Sequence, residues 1–306
     1  MGRSQPVMNT PPTSLLLSLL GLACAPATVF AGSPVIPVAA PDAPFAPNFV
    51  MDLSAQYEFA DESPAGPAGD VIRGRVSIPL FIPLSKDWRI IGVVRGGFSD
   101  YETDPFGGNG LQTWNVGGLV TLDGQLNDTW SITFGALGGA SWEDGASFSD
   151  SLTGGGLIMA GYRFSPTLKV GFGGLYLTRI NEDALAFPAL GLDWQVTDDF
   201  DITLYGLDLR AEYDLSSEWS LYVRGEYDPN GALLEKRAGS DVDSFDDQGF
   251  RAAGGLKWTP CAWLSLSMEG GFAFHEYTLR NDREEILAKD RLDPAPFVGV
   301  SAQLSF

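Results

Sequence analysis

From Phe49 to Phe306, apolar and polar side chains alternate with a period of two. That is the period of a β-strand whose two faces meet different surroundings, and no helical period competes with it. In the first run Phe49, Met51, Leu53, Ala55, Tyr57 and Phe59 share one face, while Asp52, Ser54, Gln56 and Glu58 share the other. In the second, Ile72, Gly74, Val76, Ile78, Leu80 and Ile82 oppose Arg73, Arg75 and Ser77. Similar runs follow at 88–99, 111–122, 130–142, 153–164, 168–180 and 186–196. They continue at 200–206, 208–215, 219–227, 249–258, 263–275 and 295–306, which makes fourteen candidate strands. Most are ten to thirteen residues long, well beyond the five or six usual in a soluble sheet. A tilted strand crosses a bilayer in about nine to eleven residues.

The connections alternate too. Long acidic, glycine-rich segments (60–70, 100–110, 143–152, 228–248 and 276–293) follow odd strands, and tight turns follow even ones. The tight turns share a phrase: LSKDW ends at Trp88, LNDTW at Trp130 and LSSEW at Trp219. Looser versions are FSPTL ending at Leu168, VTDDF at Phe200 and TPCAW at Trp263. The phrase returns at intervals of about forty residues, except between Phe200 and Trp219, where only 19 separate them. That interval holds either a short hairpin in a fourteen-strand barrel or an excursion from a twelve-strand one. Pro79 and Pro83 lack the N–H a ladder needs, so a bulge or an end of pairing is expected there.

Alternation does not say which face is outside, and a secreted β-sandwich would alternate as well. The aromatics separate the two cases. Trp88, Trp130, Trp219 and Trp263 open strands after short turns, and Trp194 and Trp258 close strands before them, six of the eight tryptophans at one level. Trp114 and Trp142 lie near the other ends. Two aromatic levels with aliphatic residues between them fit the girdles at the two faces of a bilayer. The charged face, with Asp52, Glu58, Arg73, Arg75, Arg89 and Arg95 on the first three strands, must then line the interior, because an Arg or Lys in lipid costs about 2–4 kcal/mol at the midplane. Closure into a barrel satisfies the backbone where no water can.

The chain ends in VGVSAQLSF, with Val298, Val300, Ala302, Leu304 and Phe306 on one face. This resembles the C-terminal insertion signal of bacterial outer-membrane β-barrels, with Phe306 as its terminal aromatic. The LSKDW-like turns and PALGLDW (Pro188 to Trp194) are similar to an uncharacterised family of outer-membrane barrels of unknown function. The resemblance implies the outer membrane as location and the bilayer and its insertion machinery as partners. It carries no catalytic or binding residue over.

Before the repeats, Arg3, an apolar run from Leu15 to Ala25 and Val29-Phe30-Ala31 read as a secretory signal peptide over 1–31. A Pro-rich arm follows at 32–48, and the barrel occupies 49–306. Loss of Cys24 with the signal leaves one thiol, Cys261, and no internal disulfide. The formal charge of −20, from 19 Lys and Arg against 39 Asp and Glu, excludes a basic nucleic-acid face.

Chemistry has little to stand on. His275 is the single histidine, and Ser267 lies eight residues away, too far along an extended strand for a hydrolase pair. No His or Cys cluster suggests zinc, and acidic pairs such as Asp61-Glu62 lack ordered calcium-loop spacing. No cofactor and no catalytic residue is expected. The expectation is a monomeric, all-β, up-and-down antiparallel transmembrane barrel with short periplasmic turns and longer acidic extracellular loops. Its role would be a narrow porin-like channel for small hydrophilic solutes, with the six interior charges along the lumen. Two other readings stay open: a structural or surface-interaction barrel with a blocked lumen, and, more remote, an outer-membrane hydrolase using His275.

Overall fold

The computed structural model describes residues 50–59, 69–103, 109–237, 240–291 and 293–305. The expected signal peptide, the Pro-rich arm, Phe49 and the terminal Phe306 lie outside these residues. Each run of alternation becomes a strand: β1 (Val50–Glu58), β2 (Val71–Pro83), β3 (Trp88–Thr103), β4 (Asn109–Gln125) and β5 (Trp130–Glu143). Next come β6 (Leu152–Ser165), β7 (Leu168–Arg179), β8 (Glu182–Thr197), β9 (Phe200–Tyr205) and β10 (Asp208–Asp214). The last are β11 (Trp219–Leu233), β12 (Ser244–Cys261), β13 (Leu264–Arg280), β14 (Ile286–Arg291) and β15 (Ala295–Ser305).

Consecutive strands pair antiparallel in a meander, and β15 pairs with both β13 and β1, so the sheet closes. Fourteen strands form the wall. The fifteenth, β14, pairs only with the outer end of β13, as a flap inside a segment whose sequence reads as loop. The short interval resolves in favour of fourteen strands: β9 and β10, of six and seven residues, are wall strands joined at Gly206, whose φ of 66° favours glycine. Twelve is excluded. Two outer connections, at Gly206-Leu207 and Ile180-Asn181, are tight rather than long. Pro79 and Pro83 stay in the β2–β3 ladder without a bulge, whereas pairing with β1 stops at Ser77.

The recurring pentapeptide is a hydrogen-bonded turn. In LSKDW the Ser85 hydroxyl accepts from the Asp87 and Trp88 amides at 3.2 and 3.1 Å, and the Trp88 carbonyl accepts from the Leu84 amide at 2.9 Å. Asn127 and Ser216 repeat the arrangement before Trp130 and Trp219. The second residue therefore closes the turn with its side chain, as Ser and Asn do in local turns. The tryptophan then starts the next strand pointing outward. TPCAW puts Pro260 at that second place, and the β12–β13 register slips between Trp258 and Cys261.

Outward residues between the aromatic levels are bare. Val94, Val120, Val223, Met268 and Val300 are each more than half exposed. A continuous apolar band of this kind is a lipid-facing surface. Trp219 and Trp258, paired across β11 and β12, stack at 5.6 Å on the lower edge of the band. Trp88 lies flat over Gly124, where a Cβ would come within 2.5 Å of the indole. No helix of the described residues is long and apolar enough to cross a membrane.

Placing the band in lipid predicts that Val94→Arg and Val300→Arg each lower unfolding free energy in vesicles by about 2–4 kcal/mol, read from urea titration. No loss at either position would mean that this face does not meet hydrocarbon.

Candidate functional site

The odd residues of β2 and β3 and the even residues of β1 face inward, as do their counterparts around the wall. This brings acids and bases from five strands together. Glu58 (β1) is the hub: Oε1 accepts from Arg73 Nε at 3.1 Å and from Arg251 Nε at 3.0 Å, and Oε2 meets His275 Nε2 at 3.0 Å. Asp247 (β12) meets the other ring nitrogen of His275 at 2.6 Å and accepts from Arg73 Nη2 at 2.6 Å and from the Tyr101 hydroxyl at 2.9 Å. Asp228 (β11) joins Arg251 to Arg75. Arg75 also reaches Glu226 at 3.2 Å, and Arg224 bridges Glu226 at 2.8 Å to Glu269 at 2.6 Å. The lattice balances: five carboxylates, Glu58, Glu226, Asp228, Asp247 and Glu269, face four guanidinium groups and His275.

Burial makes this balance obligatory. Arg73 and Arg251 are 1% exposed, and Glu226 and Asp247 are 0% exposed. An uncompensated charge at such a place costs several kcal/mol. Above the lattice, toward the long loops, inward Val71, Tyr101, Leu111, Leu234, Phe245, Tyr277 and Leu279 pack as one apolar cluster. Val242 packs against it. Arg237 pairs with Glu143 at 2.6 Å, the Glu235 amide donates to Glu143 at 2.8 Å, and Asn181 donates to Asp243 at 2.7 Å.

The top of β11 leans inward far enough for Leu233 to pair, in parallel, with Trp142 of β5. In its outer half the barrel is therefore pinched into a ring of nine strands, β1–β5, β11–β13 and β15. A ring of about that size has an interior that side chains fill. The lattice and the apolar cluster fill it.

Two cavities flank the lattice. The first, about 440 Å³, is polar and lies below the lattice. It is bounded by Asp52, Arg75, Arg95, Glu212 and Glu269 and reaches down to Lys257, Ser265 and Gln303 near the short turns. The second, about 390 Å³, lies against β4–β8 and is apolar: Leu119, Leu137, Leu157, Met159, Leu175 and Phe187 line it. Arg95, Tyr205, Asp208 and Asn230 border both.

The six charges expected in the lumen all point inward but do not share one space. Asp52, Arg75 and Arg95 border the polar cavity, and Arg89, beside Asp123 at 3.5 Å, borders the apolar one together with Arg95. Glu58 and Arg73 line no open passage; they are sealed in the lattice, a correction that follows from acids on β11 and β12 lying within reach. Asp228 and Asp247, essential to it, fall in a stretch whose sequence reads as loop. His275 is part of the lattice as well. It stacks on Tyr277 at 5.8 Å with both ring nitrogens against carboxylates. The interface aromatics Trp88, Trp130, Trp194, Trp219, Trp258 and Trp263 stand together at the short-turn end.

Since Glu58 answers three cations, Glu58→Gln should cost about 3–5 kcal/mol of stability in urea titration of the vesicle-embedded barrel. A loss below about 1 kcal/mol would put the pair in the class of exposed bridges.

No curated protein matches the chain. Among solved structures, a FadL homologue of Pseudomonas aeruginosa is similar at 11% identity and TM-score 0.48, over 84% of this chain and 90% of that one. An outer-membrane channel of Pseudomonas putida F1 gives 9% and 0.46, over 85% and 95%. The P. putida toluene transporter TodX gives 9% and 0.39, over 87% and 90%. At these identities the likeness is one of architecture. The profile of the domain of unknown function DUF6268 matches residues 120–289, more than half of the chain, and the protein belongs to that family.

Proposed function

We propose that this protein is an integral outer-membrane barrel acting as a closed but openable passage for small hydrophilic solutes. One observation carries the reading. A polar cavity of about 440 Å³ rises from the short-turn end and is stopped by the charge lattice and the apolar cluster beyond it, without a helical plug among the described residues. A passage needs a hydrated, charge-lined path, and the wall formed by Asp52, Arg75, Arg95, Arg210 and Lys257 supplies one. The lattice acts as the gate. Its pairs are buried, and separating one without a replacement partner costs about 3–5 kcal/mol, so spontaneous opening is rare. The apolar band and two aromatic levels support the bilayer as surroundings, and the short-turn barrel form supports the outer membrane.

The blocked-lumen reading has a specific observation behind it as well: the apolar cluster and the Arg237–Glu143 pair lie beyond the lattice toward the long loops. In that reading the outer surface is the working part. For hydrolysis the geometry offers little, since both nitrogens of His275 are held by carboxylates and no nitrogen is left to serve as a base.

Planar-bilayer recording separates the first two. The wild-type barrel should show infrequent steps. The pair Arg75→Ala with Asp228→Ala removes one rung and keeps the charge balance, and should raise opening frequency about tenfold or more, since even a 1.4 kcal/mol weakening gives that factor. Arg95→Gln should then shift ion selectivity toward cations. Silence of both the wild type and the double variant, with insertion shown by heat-modifiable migration, would sink the passage and leave the interaction barrel.

A further inference from the structure

The wall is incomplete beside the apolar cavity. β8 has sixteen residues and β11 fifteen, but the hairpin between them, β9–β10, has strands of six and seven. β8 pairs with β9 only from Gly191 to Thr197, and β11 with β10 only from Ser220 to Gly225. Above the hairpin no strand among the described residues joins the two edges until Leu233 meets β5. Seven residues of β11, 226–232, border this gap between Gly225 and Leu233, a height of roughly 26 Å along the strand.

Its depth follows from the aromatic level. Trp194 and Trp219 mark the short-turn interface, and a strand needs about nine to eleven residues to cross hydrocarbon. A hairpin of six and seven residues ends inside it. An open sheet edge there leaves N–H groups without partners, which lipid does not tolerate. A proline stands on each bordering strand, Pro188 on β8 and Pro229 on β11. Proline keeps its place in a sheet where its missing N–H falls on an edge, so both borders have the chemistry of built edges.

The gap leads into the cavity. Phe187 and Ala189 of β8 face inward and Leu190 faces outward, yet all three line it. So does Leu207 at the hairpin tip, which is 55% exposed. The same space therefore touches the inner wall and the lipid side.

We propose that this gap is a lateral portal, through which an uncharged hydrocarbon passes between the outer half of the bilayer and the apolar cavity. The class of ligand follows from the lining. The inner wall of the cavity is Leu, Met and Phe, and its charged residues stand mainly at its two ends, Arg89, Asp123, Lys169 and Asp193 toward the short turns and Arg179 and Asp246 toward the long loops. A cavity of roughly 150 Å³ lined by aliphatic side chains binds benzene, so about 390 Å³ admits a fused aromatic or a short alkyl chain. The outer ring filled by the lattice offers no such route, which leaves the side of the barrel as the entrance. This assignment is independent of conduction through the polar cavity.

The probe is 1-aminoanthracene, whose emission rises in apolar surroundings, added to vesicles holding the mature barrel. Wild type should show saturable binding. Leu175→Trp and, separately, Ala189→Phe fill the cavity from its inner wall and should abolish it. An eight-residue insertion at Gly206-Leu207, four alternating Thr and Val on each strand, raises the hairpin across the gap and leaves the inner wall of the cavity at Leu175 and Ala189 unchanged. It should leave equilibrium binding intact and slow entry from the bilayer by about tenfold or more. Heat-modifiable migration establishes folding for each variant. The proposal is overturned by absence of saturable binding to wild type, by binding that survives both filling variants, or by an entry rate the insertion leaves unchanged.

Discussion

Glu58 meets Arg73, Arg251 and His275 at one point from which water is excluded, and the shape of the outer half of this barrel follows from that junction. Each cation belongs to a different strand. Holding them on one carboxylate draws β1, β2, β12 and β13 into a tight arc, and Asp228 and Glu226 add β11. A group of charges this deep is stable only when complete, because a half-satisfied buried network is worse than an apolar one. Completion requires β11 to lean inward. Once it does, Leu233 reaches β5 and the ring closes early, at nine strands rather than fourteen.

The strands left out of that ring, β6 to β8, must then cover a space that the lattice does not reach. Between Lys169 and Asp193 near the short turns and Arg179 at the outer end, the inner faces of these strands carry Leu, Met, Phe and glycine. The polar and apolar cavities are thus two results of one event. A uniform fourteen-strand cylinder would enclose one watery channel. This barrel encloses a plugged small ring, a polar chamber under it and an apolar chamber beside it.

How much of this the residues disclose depends on the amplitude of their alternation. Where one face is charged and the other aliphatic, as in Met51–Glu58 or Ile72–Ser77, strand, face and direction are all legible, and the inward orientation of Asp52, Glu58, Arg73 and Arg75 follows directly. The turn phrase is equally legible because its second residue closes the turn by a local hydrogen bond. On β6–β8 both faces are small or apolar, as in GGGLIMAGY and PALGLDW, so the alternation locates strands but not the nature of the lumen they line. The expected uniform polar interior fails there. Asp228 and Asp247 were hidden for a different reason. They sit in an acidic, glycine-containing stretch with the composition of a loop, and only the register of β11 with β12 shows that the ladder runs on through it. Partners that are 151 to 217 residues apart, such as Arg75 with Glu226 and Glu58 with His275, leave no local trace.

The short hairpin connects these levels. Its brevity, visible in the sequence as the 19-residue interval from Phe200 to Trp219, is what frees the upper part of β11 from a neighbour on that side. A full-length β10 would pair with that edge and close the wall beside it. The lattice and the gap therefore meet on one strand: Glu226 and Asp228 reach inward from β11 to Arg75, while the same stretch of the strand borders the opening.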